Sequence, residues 1–360
     1  MIPKKRIIHL VHNLQVGGVE AAVRSSIDHL NEEYEFWVVS LHPNDPDFIK
    51  NITYQKQIVC FNLHTLFAPI NLIKLLWFIA QIKPSMILSS LWKSHSIAMI
   101  ISWFKPKLQI IPIIHSSQFF HWLDRFFTLI MIRKAKLVLC DSNSSKRFID
   151  ALTRLPKTEV LSFKINHTKL GVTLPKEFKQ GVFDAVFIGR LSSEKRLDRA
   201  LKLVSKLIEN GIAVTFHIYG PDHHTESNLR ALANNLGINI KIHGAISPDQ
   251  VNEVLSRYHF FIQLSDVEGM AITVVQAMQQ GLIPIVTRVG EMQYYVQHEQ
   301  NGLVVSEPFD ELTLITQQIV EMVKLPAQMQ KMSASAEATF VKQPIYTEHL
   351  NQLVKQQLGA

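Results

Sequence analysis

The sequence predicts an α/β protein made of two doubly wound domains, each with a parallel sheet and helices on both faces. The first observation is length, because 360 residues suit two domains of roughly 100–200 residues each. The second is pattern: short apolar runs alternate with helical stretches, which indicates parallel strands joined by helices. The third is that this alternation stops near residues 155–180 and then starts again.

The first half of the chain supplies a complete set of alternating elements, which predicts an N-terminal domain over residues 1–165. "RIIHLVHNL" has a buried-strand pattern, and the glycine turn "QVGG" leads from it into the helix "VEAAVRSSIDHLN". The pattern then predicts the strand "EFWVVSLHP", a helix around "NLIKLLWFIAQIKP", the strand "MILSSLW", a helix from Ser94, the strand "QIIPIIHSS", a helix to Lys134 and the strand "KLVLCDSNSSKRFID".

The stretch "LPKTEVLSFKINHTKLGVTLPKEFKQG" has prolines, lysines and weak periodicity, so we predict a linker over residues 166–182. The second domain is predicted over residues 183–335, and residues 336–360 are predicted to form a closing helix. The predicted strands of the second domain are "DAVFIGRL", "AVTFHIYG", "IKIHG", "HFFIQLS", "IPIVTR" and "GLVVS". The predicted helices of this domain are "LDRALKLVSKLIENG", "ESNLRALANNLG", "SPDQVNEVLSRY", "AITVVQAMQQG" and "DELTLITQQIVEMVKL". Two such domains facing each other would leave a cleft at the carboxyl ends of their sheets, where ligands bind in this architecture.

Composition argues against several classes of protein. Cys60 and Cys140 stand far apart in sequence, so a disulfide framework or a cysteine-bound zinc is not expected and a reducing cytoplasm fits. The apolar run at the start is short and broken by histidines, which is unlike a signal peptide. Lysines interrupt the most apolar later segments, whereas a bilayer span needs roughly 20 mostly apolar residues, so we predict no transmembrane helix.

Charge is distributed unevenly along the chain. Residues 1–170 carry 21 Lys and Arg against 11 Asp and Glu, whereas the remainder carries 16 against 19. A basic, aromatic-rich first half suits contact with nucleic acid or with an anionic membrane surface, and an ordinary basic surface in water explains the same charge.

The segment "FIGRLSSEKRLDRAL" places Arg190 and Lys195 between a strand and a helix. The turn after a parallel strand lies at the ligand-binding edge of the sheet. Arginine offers a planar fork of donors and lysine a compact charge, and together they suit a diphosphate. A solvated basic turn accounts for the same residues equally well on spacing alone.

The segment "LSDVEGMAITVVQAMQQGLIP" places Glu268 and Gly269 just ahead of an apolar helix. Backbone N–H groups near Met270 and Ala271 would point at an anion if the helix starts there. Gln276 follows Glu268 by eight residues, roughly 12 Å at helical rise, which matches the span from a sugar across a diphosphate to a ribose. The alternative is a helix-capping acid followed by an ordinary helical glutamine.

Two further candidates lie in the first half, and no metal site is expected. Gly17 and Gly18 allow the backbone to approach a ligand, although the motif is not G-x-G-x-x-G and a tight turn explains both. His115 ends a buried strand, where a neutral imidazole can bind a hydroxyl or simply belong to the core. The Asp-x-Asp in "NDPDF" is interpreted as a turn, and no spacing of histidines and carboxylates suits a metal ion.

Taken in order, these motifs resemble family 4 of the retaining glycosyltransferases. The resemblance rests on Gly-Gly-x-Glu, Gly-Arg…Glu-Lys, Ser-x-x-Glu-Gly, Gly-x-x-Pro and a late Asn-Gly-Leu-Val-Val, and it is strongest over residues 183–306. It implies the GT-B fold, with two Rossmann-like domains facing across a cleft and a C-terminal helix crossing back to the first domain. It also implies transfer of a sugar, expected to be UDP-linked, without a metal or other cofactor.

The resemblance assigns a role to each candidate residue. Gly17 and Gly18 would approach the donor phosphates, and His115 would lie near the transferred sugar or the acceptor. Arg190 and Lys195 would neutralise the departing diphosphate, and Glu268 would bind the donor sugar. The second glutamate of the family falls on Gln276, and a further one falls on Gln293, so the chain departs from the family at both positions.

The resemblance also suggests partners and location. Acceptors in similar bacterial enzymes are often lipid-linked saccharides or lipopolysaccharide cores, which implies a cytoplasmic protein with peripheral contact to an anionic membrane and no nucleic acid. We expect "LFAPINLIKLLWFIAQIK" and "WFKPKLQ" to border the membrane-facing surface. Two other functions stay open: a nucleotide-sugar epimerase on the same frame, and a non-catalytic subunit that binds a sugar nucleotide.

Overall fold

A computed structural model describes residues 3–153, 157–165, 177–306, 308–309 and 311–359 of the chain. The chain divides into two compact units, which we call unit 1 (Met1–Ile165 and Pro344–Ala360) and unit 2 (Asn166–Gln343). Each unit has one parallel sheet with helices, so the predicted pair of α/β domains is confirmed.

Unit 1 contains a seven-stranded parallel sheet in the order β3-β2-β1-β4-β5-β6-β7. Its strands are β1 (Arg6–Val11), β2 (Glu35–Ser40), β3 (Ile58–Cys60), β4 (Met86–Ser90), β5 (Gln109–Ile114), β6 (Leu137–Cys140) and β7 (Lys157–Val160). Its connecting helices are α1 (Gly18–Glu33), α2 (Pro46–Ile49), α3 (Ala68–Ile82), α4 (Trp92–Phe104), α5 (Trp122–Lys134) and α6 (Asn143–Leu152). The central strands β1, β4 and β5 are mostly apolar and buried on both faces, as is usual for a parallel sheet covered by helices.

Two details of unit 1 differ from the sequence prediction. The predicted strand "KLVLCDSNSSKRFID" is wrong beyond Cys140, because Ser142 caps α6 and its hydroxyl accepts the N–H of Ser145. The short edge strands β3 and β7 were not predicted, since each has too few apolar residues to give a clear pattern.

The stretch "NDPDF" forms the single turn α2, where the Asp45 carboxylate accepts the N–H of Asp47.

Unit 2 contains a six-stranded parallel sheet in the order β10-β9-β8-β11-β12-β13. Its strands are β8 (Val182–Ile188), β9 (Ala213–Tyr219), β10 (Lys241–Ile242), β11 (Phe260–Gln263), β12 (Ile283–Thr287) and β13 (Leu303–Val305). Its helices are α7 (Leu197–Glu209), α8 (Glu226–Asn235), α9 (Val251–Ser256), α10 (Ile272–Gln279), α11 (Met292–Tyr295), α12 (Thr313–Met322) and α13 (Pro326–Ala338). The predicted linker at 166–182 lies mostly outside the described residues, and β8 already begins at Val182.

The last helix, α14 (Tyr346–Leu358), belongs to unit 1 and packs on α1. It begins at Tyr346 and not at residue 336, because residues 336–338 end α13 and Pro344 separates the two helices. Asn351 and Lys355 of this helix bind the Glu33 carboxylate at the end of α1. Among the described residues, no helix is long and apolar enough to cross a membrane.

Candidate active site

Two loops meet at the carboxyl edge of the unit 2 sheet and carry most of the predicted donor-binding residues. The first leaves β8, passes Arg190 and ends in a 3-10 turn, Ser193–Lys195. The second, which we call the Glu268 loop, is residues 264–271 and runs from β11 to α10. Because β8 and β11 are neighbouring parallel strands, their following loops lie side by side.

Lys195 and Glu268 form a buried ion pair between these loops. The Lys195 ammonium donates to both carboxylate oxygens of Glu268, with Nζ–Oε1 and Nζ–Oε2 distances of 2.7 and 2.9 Å. The two side chains are only 17% and 7% exposed. Gln263, the last residue of β11, donates its amide to Oε1 at 2.6 Å. Both carboxylate oxygens therefore have a protein donor, which fixes the group and still leaves acceptor capacity. Loss of either member of the ion pair would leave a buried charge uncompensated.

Arg190 lies on the same loop as Lys195, is half-buried, and acts electrostatically on the Glu194 carboxylate. Within the described part of the chain, no residue forms a hydrogen bond with its guanidinium. Burial raises the pKa of Glu194, but the Ser192 hydroxyl, Arg190 and Lys195 outweigh burial and hold that pKa below its usual value. Among the described residues, the Arg190 guanidinium has no hydrogen-bond partner, so its donors are available to a ligand.

Backbone contacts fix the Glu268 loop from both sides. The Asp266 N–H donates to the Glu194 carbonyl at 2.9 Å, which joins the loop to the Lys195 turn. On the other side, the Thr287 hydroxyl at the end of β12 donates to the Ser265 carbonyl at 2.8 Å. The position of the Glu268 carboxylate therefore depends on three neighbouring strands and not on one side chain.

Gly290 and Tyr295 complete the support of the loop. Gly290 has φ +55°, and a Cβ atom there would lie 2.3 Å from the Glu268 carbonyl oxygen and 2.4 Å from that of Gly269. The buried Tyr295 hydroxyl donates to the Met270 carbonyl at 3.0 Å. Burial, together with Glu268 and Glu291, raises the Tyr295 pKa well above its usual value, so the phenol stays a donor. Only glycine allows so close an approach at position 290.

The start of α10 differs from the prediction. The helix begins at Ile272, while Ala271 is a left-handed residue at φ 54° and Met270 precedes it. The N–H groups at Met270 and Ala271 therefore precede the helix. Helical rise does not apply to residues 268–271, so the predicted span from Glu268 to Gln276 stays a prediction. Gln276 lies in the second turn of α10 with 8% of its surface exposed.

The carboxyl edge of unit 1 holds neutral imidazoles. His115 Nε2 lies 3.0 Å from the Ser90 hydroxyl, and His9 Nε2 lies 2.9 Å from the same oxygen. The side chain of His115 is buried, and its Nδ1 lies 3.9 Å from the Asp141 carboxylate. Burial, with a smaller effect of neighbouring histidines, lowers the His115 pKa to about 3. His115 is therefore neutral near pH 7.

The two glycines near the start also lie at this edge. Gly17 is the N-cap of α1 and Gly18 is its first residue. The backbone of Gly17 is extended, and a Cβ atom added there would lie nearest to the flexible Glu20 carboxylate. Nothing in this geometry requires glycine, so their assigned approach to donor phosphates stays a prediction.

Across the described residues, no cluster of three His, Cys, Asp or Glu side chains could hold a metal ion.

The structure thus brings together Lys195 and Glu268, which the sequence singled out separately, and adds supports that the sequence analysis missed. Gln263 was hidden in the strand pattern "HFFIQLS", where a polar residue at the end of an apolar strand was the available signal. Gly290 was visible only as a glycine after the strand "IPIVTR". Gln293 is exposed and donates to the Gly290 carbonyl.

Comparison with known proteins identifies the family of the chain. A family model described as "Glycosyltransferase Family 4" matches residues 16–162, and one described as "Glycosyl transferases group 1" matches residues 175–339. The two-domain fold and these two matches together define a glycosyltransferase of the GT-B fold class. The chain belongs to glycosyltransferase family 4, which confirms the resemblance drawn from its motifs.

Individual relatives are distant. The chain is 23% identical over 192 residues to a GDP-mannose:cellobiosyl-diphosphopolyprenol alpha-mannosyltransferase of Xanthomonas oryzae, a match covering 51% of this chain and 48% of the relative. The chain therefore spans about half the length of this curated relative. A structure of HepE from Anabaena in complex with UDP and glucose superimposes with a TM-score of 0.79 at 15% identity, covering 99% and 100% of the two chains. The structure of sucrose-phosphate synthase from Thermosynechococcus elongatus superimposes with a TM-score of 0.80 at 14% identity, again covering 99% and 100% of the two chains.

Proposed function

We propose that the protein is a retaining glycosyltransferase that moves a hexosyl group from a nucleotide-diphosphate sugar to a saccharide or lipid-linked saccharide. The observation that carries this proposal is the buried Lys195–Glu268 pair at the carboxyl edge of unit 2, with Arg190 on the same loop as Lys195. It combines cations suited to a diphosphate with a carboxylate suited to sugar hydroxyls.

On the donor side, Arg190 and Lys195 would stabilise charge as it develops on the leaving diphosphate. The bond between the anomeric carbon and the phosphate oxygen breaks, and both electrons leave with the diphosphate. Because Arg190 has no hydrogen bond to a described residue, it can donate to phosphate oxygens without losing a partner. These two cations take the role that a divalent ion has in other transferases, so no metal is needed.

On the sugar side, Glu268 would accept hydrogen bonds from donor hydroxyls. Its carboxylate is held by Lys195 and Gln263, and this leaves little freedom to move. A positioned acceptor of this kind orients the sugar ring for attack. We propose that Glu268 orients the sugar and does not form a covalent intermediate.

Retention follows from attack on the face that the diphosphate leaves. The acceptor oxygen forms its bond to the anomeric carbon on that face, and its proton passes to a departing phosphate oxygen. His115, with a pKa near 3, is not charged at neutral pH and would act there as a hydrogen-bonding group to the sugar or acceptor.

The acceptor and donor base are proposed from relatives and from chemistry. The Xanthomonas oryzae relative is named for a diphosphopolyprenol acceptor, which supports a lipid-linked saccharide used in surface polysaccharide or lipopolysaccharide synthesis. That relative is also named for GDP-mannose, whereas the HepE structure contains UDP. We propose that the donor sugar is linked to UDP and that the reaction takes place on the cytoplasmic side of the membrane.

The test is an assay of nucleoside diphosphate release from a panel of UDP- and GDP-linked sugars. We expect one donor to give release that increases with a polyprenyl-diphosphate saccharide, persists in EDTA and yields a product with the anomeric configuration of the donor. Lys195→Ala should abolish release, whereas Lys146→Ala, which breaks an exposed ion pair in unit 1, should leave it unchanged.

Other outcomes of this assay distinguish the alternatives. A change of the donor sugar without any acceptor would indicate an epimerase, and donor binding without turnover across the panel would indicate a non-catalytic subunit. Equal release by Lys195→Ala and the unmodified protein would contradict the assigned site.

A further inference from the structure

Three loops at the carboxyl edge of the unit 1 sheet bring a lysine and two imidazoles together. His12 follows β1, His42 follows β2, and Lys93 stands in the first turn of α4, directly after β4. Because β2, β1 and β4 are neighbouring parallel strands, the loops that follow them lie side by side. We call this group the Lys93 cluster and define it as His12, His42, Trp92 and Lys93. It has no role in the mechanism proposed above.

Lys93 contacts the two imidazoles through different atoms. Its ammonium Nζ donates to His42 Nε2 at 3.0 Å, and its backbone N–H donates to His12 Nε2 at 3.2 Å. The same Nζ lies 5.6 Å from the centre of the Trp92 ring. A lysine ammonium has three donor hydrogens. Since only His42 accepts one of them among the described residues, the other two are available to a ligand.

The positive charge of Lys93 has no counter-ion. In the described part of the chain no carboxylate pairs with its ammonium, and Asp45, on the same loop as His42, caps α2 instead. Burial, Lys93 and His64 lower the pKa of His42, and burial, Lys93 and His42 lower the pKa of His12 to about 4. Each of these effects lowers the pKa, so no described acid offsets Lys93 at either imidazole. The half-buried cluster therefore carries net positive charge at neutral pH.

The residue that precedes the cluster on β4 has a strained backbone. Leu91 has φ 68° and ψ 157°, a region that is almost restricted to glycine. This conformation sets the direction in which Trp92 and Lys93 leave the strand. Strain of this kind is concentrated at ligand sites, where it is kept because it places a binding group.

We propose that the Lys93 cluster binds a phosphoryl group of the acceptor. The inference rests on the proposed transfer reaction, in which Arg190 and Lys195 of unit 2 bind the donor diphosphate, so the phosphoryl group at unit 1 is assigned to the other substrate. The Lys93 ammonium donates to phosphoryl oxygens. Because His12 and His42 both accept at Nε2, each neutral ring carries its proton on Nδ1 as a further donor. The acceptor therefore carries a phosphate or a diphosphate.

The charge of the cluster favours a phosphoryl group over a neutral sugar or a carboxylate. A neutral sugar would leave Lys93 without a counter-ion. A carboxylate supplies one negative charge and two oxygens, whereas a terminal phosphate supplies nearly two charges and three oxygens at pH 7. Only the phosphate has enough acceptor oxygens for the two ammonium hydrogens of Lys93 and an imidazole N–H at the same time.

The test is a titration of the full chain with inorganic diphosphate, with and without saturating UDP, followed by tryptophan fluorescence. All five tryptophans lie in unit 1, so the signal reports that unit. We expect a saturable change in both conditions, which Trp92→Phe removes. Lys93→Met should weaken binding by about 10- to 100-fold, because a hydrogen bond to a charged group contributes a factor of this size. Lys93→Arg keeps the charge and should retain binding.

Lys134→Met is the matched control for the loss of a lysine. The Lys134 ammonium also lies 5.6 Å from the centre of a tryptophan ring, that of Trp103, but at the end of α5 and away from the carboxyl edge. This variant should bind diphosphate as the unmodified protein does, and thermal melts verify that each variant is folded. Methyl glucuronide and methyl glucoside supply a carboxylate and a neutral sugar, and neither should bind at the concentration at which diphosphate saturates.

Three outcomes would overturn the proposal. Unchanged binding by Lys93→Met would remove the cluster from the site, and equal binding of methyl glucuronide would remove the preference for phosphate. Loss of diphosphate binding in the presence of UDP would assign the cluster to the donor.

The transfer assay separates this proposal from the proposed function. Lys93→Met should raise the acceptor KM and leave the donor KM unchanged. If no donor gives transfer, the proposed function fails, whereas the titration still decides whether the cluster binds phosphate.

Discussion

The two units share one architecture but differ in the chemistry at the carboxyl edges of their sheets. In unit 2 this edge holds cations and a carboxylate, with Lys195 and Glu268 paired at 2.7 Å. In unit 1 the corresponding edge holds imidazoles and hydroxyls, with Ser90 between His9 and His115. Cations suit a diphosphate, whereas imidazoles and hydroxyls suit the hydroxyl groups of a sugar. The same parallel sheet thus supports either chemistry, according to which residues follow its strands.

From the residues at the two edges we predict that the units respond differently to acid. The loss of stability of unit 1 at low pH is the largest effect that we expect. Burial lowers the pKa of His9, His95 and His115 to about 3 and that of His12 to about 4. An unfolded histidine titrates near pH 6.5, so the unfolded chain binds more protons between that value and the folded pKa. The contribution of each buried neutral histidine to the free energy of unfolding is fully present above about pH 6.5. It is lost as the pH falls towards the folded pKa, by about 1.4 kcal/mol per pH unit for each such histidine.

Unit 1 should therefore unfold in acid before unit 2 does. All five tryptophans, at positions 37, 77, 92, 103 and 122, lie in unit 1, so their fluorescence reports that unit alone. We expect the free energy of unfolding measured by fluorescence to fall by several kcal/mol between pH 6.5 and 4.5. The fluorescence midpoint should therefore shift to lower denaturant concentration before that of the total far-UV circular dichroism signal. The His95→Asn variant should show a shallower pH dependence. Coincident transitions of both signals at every pH would contradict this contrast.

The next effect compares a buried ion pair of unit 2 with an exposed one of unit 1. Glu268→Ala leaves Lys195 and Gln263 without their shared acceptor, so the free energy of unfolding should fall by about 3–5 kcal/mol. Glu268→Gln keeps the shape but removes the charge and should reduce kcat by about 10²–10³-fold. Asp150→Asn, which weakens the exposed Lys146–Asp150 pair, should change the free energy of unfolding by less than about 1 kcal/mol.

Denaturant titrations and steady-state kinetics measure these effects. If Glu268→Ala were as active as the unmodified protein, Glu268 would not be the group that holds the donor sugar. If Asp150→Asn cost as much as Glu268→Ala, burial would not be what distinguishes the two pairs.

The fold was predictable because long apolar strands and amphipathic helices leave clear periodicity in the sequence. Strands such as β1, β5 and β12 read as continuous buried runs, whereas β3 with its sequence "IVC" was too short to stand out. The start of α10 could not be predicted, since a left-handed Ala271 has no sequence signature of the kind that glycine provides.

The site was predictable in part. Arg190, Lys195 and Glu268 stood out as charged residues after strands, but their pairing depends on which strands are neighbours, which a local pattern does not reveal. His115 was recognised as the end of a strand, yet its bond to Ser90 depends on the pairing of β4 with β5. Tertiary contacts of this type require the strand order, and motif spacing alone does not supply it.

A smaller effect tests how the Glu268 loop is supported. Gly290→Ala would place a methyl group against the carbonyl oxygens of Glu268 and Gly269, at 2.3 and 2.4 Å, in addition to the strain of φ +55°. We expect the free energy of unfolding to fall by about 2–4 kcal/mol and the donor KM to rise.

Gly237→Ala is the matched control for this substitution. Gly237 has φ +65°, with no atom within 4 Å of the added carbon. The substitution Gly237→Ala should therefore lower the free energy of unfolding only by the backbone strain, about 1–2 kcal/mol, and leave the donor KM unchanged. Equal losses in the two variants would show that the contact with the Glu268 loop is unimportant.

The smallest effect concerns Gln276, where the resemblance implies a glutamate in other members of the family. A carboxylate accepts from both ribose hydroxyls, whereas an amide accepts at one atom and donates at the other. Gln276 is 8% exposed, so Gln276→Glu would bury a charge in the ligand-free protein and lower its Tm. Bound nucleotide would satisfy that charge, so we expect activity to be retained and donor affinity to rise by about 1–2 kcal/mol.

Thermal shift measurements with and without UDP and GDP separate these two contributions. The Tm of the Gln276→Glu variant should be below that of the unmodified protein without nucleotide, and its increase on binding should be larger, because a ligand that binds only the folded state stabilises it in proportion to its affinity. Gln279→Glu, one turn further along α10 and equally buried, should lower Tm without enlarging the nucleotide-induced increase. An identical increase in all three proteins would mean that position 276 does not contact the ribose, and the donor site would then end nearer to Glu268.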